Sequence, residues 1–349
     1  MPILSLPAPA LLSRRSFMAG VAIAASGAAV RRASAAVPVR LVLDWRIEGP
    51  MAPALAAQEK GYFHDEGLDV AFEVVTGARQ APTQMISGDF DAGLGDINTL
   101  IRFRDANPGQ DPKAVMIFHD RPAFAVIGRR SRGITPEPAS LEGRRLGAPA
   151  GDTAFAQWPI FSKLNKIDEG KVKLENIGFP VREPMLASGE VDGFFGFGPS
   201  SLPSLKARGV PADDIVVMTM ADHGLLLYGN AVMVSPKFAA KEPGAVRGLL
   251  RAILRGIRDV SAKPDFGVQL VVKQAENAQP EVERERLTTV LEQQVLTPYV
   301  KEHGLGGIDP VRWAQALDQL ALVQPFKDRA RAAETFTDAY LPAREERLF

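Results

Sequence analysis

The sequence predicts an α/β protein built as two similar lobes, and three observations carry that prediction. Short runs rich in Val, Ile, Leu and Phe alternate with helix-like segments from Val39 to Val234, the pattern of strand–helix units. A piece of the first half returns in the second: residues 77–95 align without gaps to residues 178–196, at an offset of 101. Beyond the first 35 residues, no run of 18 apolar residues and no low-complexity linker interrupts the chain.

Taken in order, residues 39–44 read as a strand and 53–60 as a helix stopped by Gly61. Residues 68–75 read as a strand, 82–87 as a short helix, 90–94 as a strand, 97–105 as a helix and 113–118 as a strand. Residues 123–128 form an apolar strand leading out of the first lobe. The alternation restarts with a strand at 145–148, a helix at 153–164, a strand at 172–177 and a helix at 184–188. Strands at 191–195 and 215–220 follow, and 228–234 is a strand running back. From residue 241 onward the pattern is helical and charged. In the repeat, Ser87-Gly88-Asp89-Phe90-Asp91 answers Ser188-Gly189-Glu190-Val191-Asp192, Gly77 answers Gly178 and Gly95 answers Gly196. The expected division is lobe 1 over 36–127 and 231–349 and lobe 2 over 128–230, joined by two crossing strands near 123–130 and 228–234.

Composition narrows the function classes. The 349 residues carry 41 basic and 41 acidic side chains, so the chain lacks the basic excess of a nucleic-acid binder. With no cysteine there is no disulfide, thiolate metal site or thiol nucleophile. The four histidines, His64, His119, His223 and His303, are far apart, so no metal is expected, and with no P-loop or dinucleotide fingerprint in the chain no other cofactor is expected either. Residues 1–35 hold four arginines and no acid, lysine or histidine. Arg14-Arg15 stand in Ser13-Arg14-Arg15-Ser16-Phe17-Met18, with an uncharged run of 14 residues from Phe17 to Val30 and a closing Ala33-Ser34-Ala35. This segment resembles a twin-arginine export signal ending in a small-x-small cleavage site, with Ala19 where that pattern often has lysine. A periplasmic protein is expected, and without a cysteine at the cleavage point it is not a lipoprotein. Removing those four arginines leaves 37 basic against 41 acidic residues, a mildly acidic body.

Four segments mark a family. They are Leu43-Asp44-Trp45, Ala57-Gln58-Glu59-Lys60-Gly61-Tyr62-Phe63, Glu66-Gly67-Leu68-Asp69-Val70 and Ile86-Ser87-Gly88-Asp89-Phe90-Asp91. Together they resemble the NMT1/THI5-like group of periplasmic solute-binding proteins of ABC transporters, whose relatives bind nitrate, sulfonates, taurine or pyrimidines. The resemblance implies a two-lobed type II periplasmic binding protein with the ligand in a hinged cleft. It further implies a small-molecule solute and an ABC permease and ATPase in the inner membrane as partners, with the chain itself a monomer.

Candidate ligand contacts lie at the carboxyl ends of strands, where open α/β sheets place ligands. Asp44, Trp45 and Arg46 follow the first strand: an acceptor, a flat apolar wall and an anion partner. Gly77, Ala78 and Arg79 follow the second, where relatives for sulfonate or nitrate are often serine-rich. Asp96 and Asn98 follow the repeated strand of lobe 1, with Asp96 as helix cap or ligand acceptor. On lobe 2, Asp152 and Thr153 open a helix bearing Phe155 and Trp158, and Phe197 and Tyr228 close the cleft from the other side. Aromatic rings interspersed with Asp44, Asp96 and Asp152 suit a planar, nitrogen-bearing ligand better than a small anion, with a taurine-like zwitterion as the alternative. Tyr62, Phe63, Gly88 and Gly189 read as packing and turn residues instead.

Two other function classes are open to such a chain. One is an enzyme on the same two-lobed fold, such as THI5-type pyrimidine synthesis; the resemblance assigns that chemistry a cysteine-rich iron-binding segment, which a cysteine-free chain lacks. The other is a periplasmic sensor that passes its ligand to a membrane kinase.

Overall fold

The computed structural model describes residues 36–43, 46–74 and 81–349. The expected leader, Asp44, Trp45, Gly77, Ala78 and Arg79 lie outside the described residues. Among the described residues, no helix is long and apolar enough to cross a membrane.

Among the described residues, ten strands form two five-stranded mixed sheets. The first comprises β1 (Val37–Leu43), β2 (Leu68–Val74), β3 (Ala92–Asp96), β4 (Lys113–Ile117) and β10 (Asn230–Val234), in the order β2-β1-β3-β10-β4. The second comprises β5 (Phe124–Arg129), β6 (Arg145–Gly147), β7 (Lys173–Glu175), β8 (Gly193–Phe197) and β9 (Ile215–Thr219), in the order β7-β6-β8-β5-β9. In each sheet three strands run parallel, and the fourth enters antiparallel from the other half of the chain: β10 beside β3, and β5 beside β8. The sheets are therefore two copies of one plan, as the repeat predicts.

The repeat motif shows how. Helices Ala81–Ser87 and Arg182–Ser188 each end at a glycine with positive φ, Gly88 at 86° and Gly189 at 82°, a backbone region open to glycine without steric cost. Three residues on, Asp91 exchanges two 2.9 Å bonds with the backbone of Arg40, and Asp192 does the same with Arg145. Each aspartate clamps the chain to the neighbouring strand before the repeated strand begins. That is why β3 and β8 start two residues later than the apolar pattern suggests.

The chain changes sheet in residues 118–123 and 220–229, slightly ahead of the expected crossings, because β5 pairs along its full length with β8 and β9. At the crossings the two segments lie in contact. The His119 N–H donates to the Asn230 carbonyl at 2.9 Å and the Gly229 N–H to the His119 carbonyl at 3.0 Å. A Cβ at Gly229 would stand 2.8 Å from the His119 Cβ, so the close approach requires glycine. Arg312, in helix Pro310–Ala321, ties both crossings: it donates to the carbonyls of Asp120 (2.6 Å), Leu226 (3.0 Å) and Leu227 (2.7 Å) and pairs with the Asp120 carboxylate at 3.0 Å.

The charged C-terminal region folds as helices around the first sheet, as its periodicity predicts. Helix Pro243–Ala262 buries Val246, Leu249, Leu250, Ile253, Leu254 and Ile257 at three- and four-residue spacing, in one apolar core with β1 and helix Ala52–Glu59.

Candidate functional site

The carboxyl ends of β1, β3, β6 and β8 carry the polar groups that sequence spacing singled out, but tertiary packing sorts them into distinct roles. On the first lobe, Asp96 caps helix Ile97–Ala106, accepting from the Thr99 N–H and hydroxyl at 2.7 Å and from the Asn98 amide at 2.8 Å. Asn98 also donates to the Tyr228 carbonyl at 2.8 Å. Both side chains are buried, and burial raises the Asp96 pKa against the lowering pull of these bonds. They brace the end of β3 against the segment leading into β10.

Arg46 is exposed, and its guanidinium donates to the buried Glu48 at 2.6 Å. Glu48 was not anticipated. It gathers the Ser200 hydroxyl at 2.9 Å and Arg286 at 3.3 Å, drawing partners from remote parts of the chain.

On the second lobe, Asp152 caps helix Thr153–Ala156 through a 2.9 Å bond from the Phe155 N–H, with Thr153 buried beside it. Its other oxygen meets Arg182 at 3.3 Å, and Arg182 in turn donates to Glu183 at 2.9 Å. All three side chains are buried, and the Ser201 hydroxyl reaches Glu183 at 3.3 Å. Burial pushes the Asp152 carboxyl above its usual pKa, with Arg182 and the Phe155 and Ala154 N–H groups pulling it back. The Arg182 guanidinium lies 5.8 Å from the Phe179 ring and 5.4 Å from the Phe194 ring. A readable signal did exist here: Phe179–Val181 and Arg182 stand, in the repeat, at the positions that answer residues 78–81.

The aromatic candidates divide by exposure. Phe155 and Phe197 are half-buried, packed on Phe195 (5.1 Å) and Phe124 (6.0 Å) respectively, with ring surface left over. Trp158 is 1% exposed and wedged against Phe161 and Phe195, so it is core, not cleft wall. The helix expected over 153–164 breaks at Gln157 into Thr153–Ala156 and Trp158–Leu164, which sends the tryptophan inward. Tyr228 is fully buried; its hydroxyl accepts from the Asp309 N–H at 2.9 Å and its ring packs on Arg312 and Trp313. It anchors the C-terminal helices to a crossing, and has no surface for a ligand. Among the described residues, no group of three or more His, Asp or Glu side chains is placed to hold a metal.

With this geometry, comparison with known proteins is informative. The model of the NMT1/THI5 like family matches residues 49–266. The chain belongs to this family. Riboflavin-binding protein RibY of Chloroflexus aurantiacus is 25% identical over 319 residues, covering 87% of this chain and 86% of the relative. The formylaminopyrimidine-binding protein of Halalkalibacterium halodurans is 26% identical over 301 residues, 81% and 84% of the two chains. The 4-amino-5-hydroxymethyl-2-methylpyrimidine phosphate synthase THI13 of Saccharomyces cerevisiae is 25% identical over 235 residues, 65% and 68%. The NMT1/THI5-like group thus spans binding proteins and synthases. Two solved structures share the fold: the periplasmic aliphatic sulphonate binding protein SsuA of Escherichia coli (TM-score 0.67, 12% identity, 85% and 91% covered) and the periplasmic nitrate-binding protein NrtA of Synechocystis PCC 6803 (0.67, 12%, 87% and 87%). The expected fold, the two-lobed α/β architecture of periplasmic binding proteins, is the one observed.

Proposed function

We propose that this chain is the solute-binding component of an ABC importer, exported to the periplasm by its twin-arginine leader, and that it captures a planar nitrogen-bearing heterocycle without converting it. One observation carries the ligand class. Among the described residues, Glu48 and Asp152 past the ends of β1 and β6, Asp96 at the end of β3 and Glu183 in helix Arg182–Ser188 are buried carboxylates; Arg46 is already paired with Glu48, and Arg182 with Asp152 and Glu183. An acid-rich surrounding of this kind repels a small oxyanion but not a heterocycle with N–H donors, for whose face the half-buried Phe155, Phe179 and Phe197 rings leave surface. Asp44, Trp45, Gly77, Ala78 and Arg79 are proposed to complete the contact set. The riboflavin- and formylaminopyrimidine-binding relatives support this class, while the sulphonate- and nitrate-binding neighbours, at 12% identity, speak to the fold alone. Binding rather than synthesis is favoured because the cysteine-rich segment attributed to THI5-type synthases has no counterpart in a chain without cysteine.

Thermal denaturation of the mature protein against riboflavin, aminopyrimidines, alkanesulfonates, taurine and nitrate tests the reading. A ligand at about 100 times its Kd stabilises by ~2.7 kcal/mol, a readable rise in Tm. A rise with flavins or pyrimidines is expected; a rise with sulfonates or nitrate alone refutes the heterocycle. Turnover of a bound pyrimidine at catalytic rates refutes the binding role.

A further inference from the structure

A polar cluster joins the two lobes at a place no sequence motif marks. Glu48, just past β1, is 3% exposed. Its carboxylate accepts from the Ser200 hydroxyl at 2.9 Å. Ser200 belongs to helix Gly198–Ala207, whose Leu205 packs with Ala125 and Ile127 of the second sheet. Arg286 comes from helix Pro280–Val290, whose Leu287 and Val290 sit in the core of the first sheet. It reaches Glu48 at 3.3 Å and Glu283 at 2.5 Å, then crosses to the Ser204 hydroxyl at 2.6 Å. At the rim of the same helix pair, Lys206 and Glu285 form an ion pair at 2.5 Å. An open pocket of about 700 Å³ reaches this cluster, with Arg46, Glu48, Glu283 and Arg286 in its wall.

We propose that Glu48, with Ser200 and Arg286, is a latch that holds the lobes closed. In the closed arrangement the carboxylate is out of water, and Ser200 supplies a donor from the opposite lobe. When the lobes part, Ser200 and Ser204 withdraw with the second lobe, and water from the adjoining pocket replaces them. Burying paired charge trades desolvation against Coulomb attraction, so the net gain from closing such a cluster is small. An element so balanced lets a small differential contact, such as a ligand bridging the cleft, decide the population.

The cysteine-free chain makes the test direct. Asp69→Cys on β2 and Lys173→Cys on β7, both exposed positions, place one spin label on each lobe. Interlabel distances are then read by pulsed electron resonance on the mature protein without ligand, so the result is independent of what the cleft binds. Ser200→Ala removes one donor to a charged acceptor and should raise the long-to-short population ratio about tenfold. Glu48→Gln should move it in the same direction. Lys206→Ala, which removes only the rim pair, should change it no more than about threefold. Circular dichroism establishes that each variant is folded. An unchanged population ratio in Ser200→Ala overturns the latch, whether or not Glu48→Gln folds. A Lys206→Ala shift as large as that of Ser200→Ala overturns it too, by moving the hold to the rim.

Discussion

Lowering the pH from 7 to 5 should remove about 2 kcal/mol of folding stability through one side chain, His119. The imidazole is 6% exposed at the first crossing, beside the Phe118 ring at 5.0 Å, and its Nε2 has no hydrogen-bond partner. Burial in this apolar setting lowers its pKa from 6.5 to about 4. The unfolded chain therefore takes up a proton near pH 6.5, and the folded chain only near pH 4. Between those values the unfolded state holds more protons, so stability falls as the pH falls. The effect is absent well above pH 6.5 and complete below pH 4, where it reaches about 3 kcal/mol. Urea denaturation of the wild type and of His119→Gln at pH 7 and pH 5 measures it, and the comparison is between the two pH dependences. The wild type should lose about 2 kcal/mol more than the variant over this interval. Asp96, Asp152 and Glu283, whose pKa values burial raises, act with the opposite sign, since their contribution is present at low pH and lost as pH rises. They are common to both proteins and cancel in the difference. Parallel pH dependences would refute the reasoning, because they would mean that His119 is not held neutral by burial.

Further outcomes follow from the second lobe. Arg182→Ala leaves Asp152 and Glu183 buried beside each other without their shared guanidinium, and should lower stability by about 3–5 kcal/mol at pH 7. The deficit should shrink as the pH falls and Asp152, whose pKa burial already raises and Arg182 no longer pulls back, takes up a proton, which thermal unfolding across pH will show. Trp158→Ala opens a cavity in the core and should lower stability by about 3–5 kcal/mol. Phe155→Ala, from a half-buried position, should lower stability less and weaken binding of the best heterocyclic ligand by roughly tenfold or more, measured by titration calorimetry. Unchanged affinity in Phe155→Ala removes that ring from the cleft.

Much of the architecture was legible because it depends on short-range chemistry. The Ser-Gly-acid-x-Asp segments carry their own turn: Ser87 and Ser188 bond back to the carbonyls of Gln84 and Met185, and the glycine takes the positive φ that ends the helix. The apolar alternation located β1, β2, β4 and β9 within a residue or two. It placed β3 and β8 early, since the clamp by Asp91 and Asp192 is made to another strand and leaves no periodic trace. The site was less legible. Asp152 and Asp96 were found as acids before helices, and both are caps. Trp158 and Tyr228 were chosen for ring chemistry, which does not report the direction a ring faces; one break at Gln157 turned Trp158 into the core.

By itself, the sequence determined the class of fold, the repeat within it and the family. Each rests on local hydrogen bonding, side-chain alternation or counting, and needs no knowledge of distant neighbours. Only the tertiary structure decided which charges meet. Glu48 and Ser200 are 152 residues apart and Asp152 and Arg182 are 30 apart, yet each pair shares one buried, polar contact. Whether an arginine near a cleft is an anion receptor or already neutralised depends on partners brought in by the fold. Folding resolves it, because a buried charge must find its counter-charge wherever in the chain that lies.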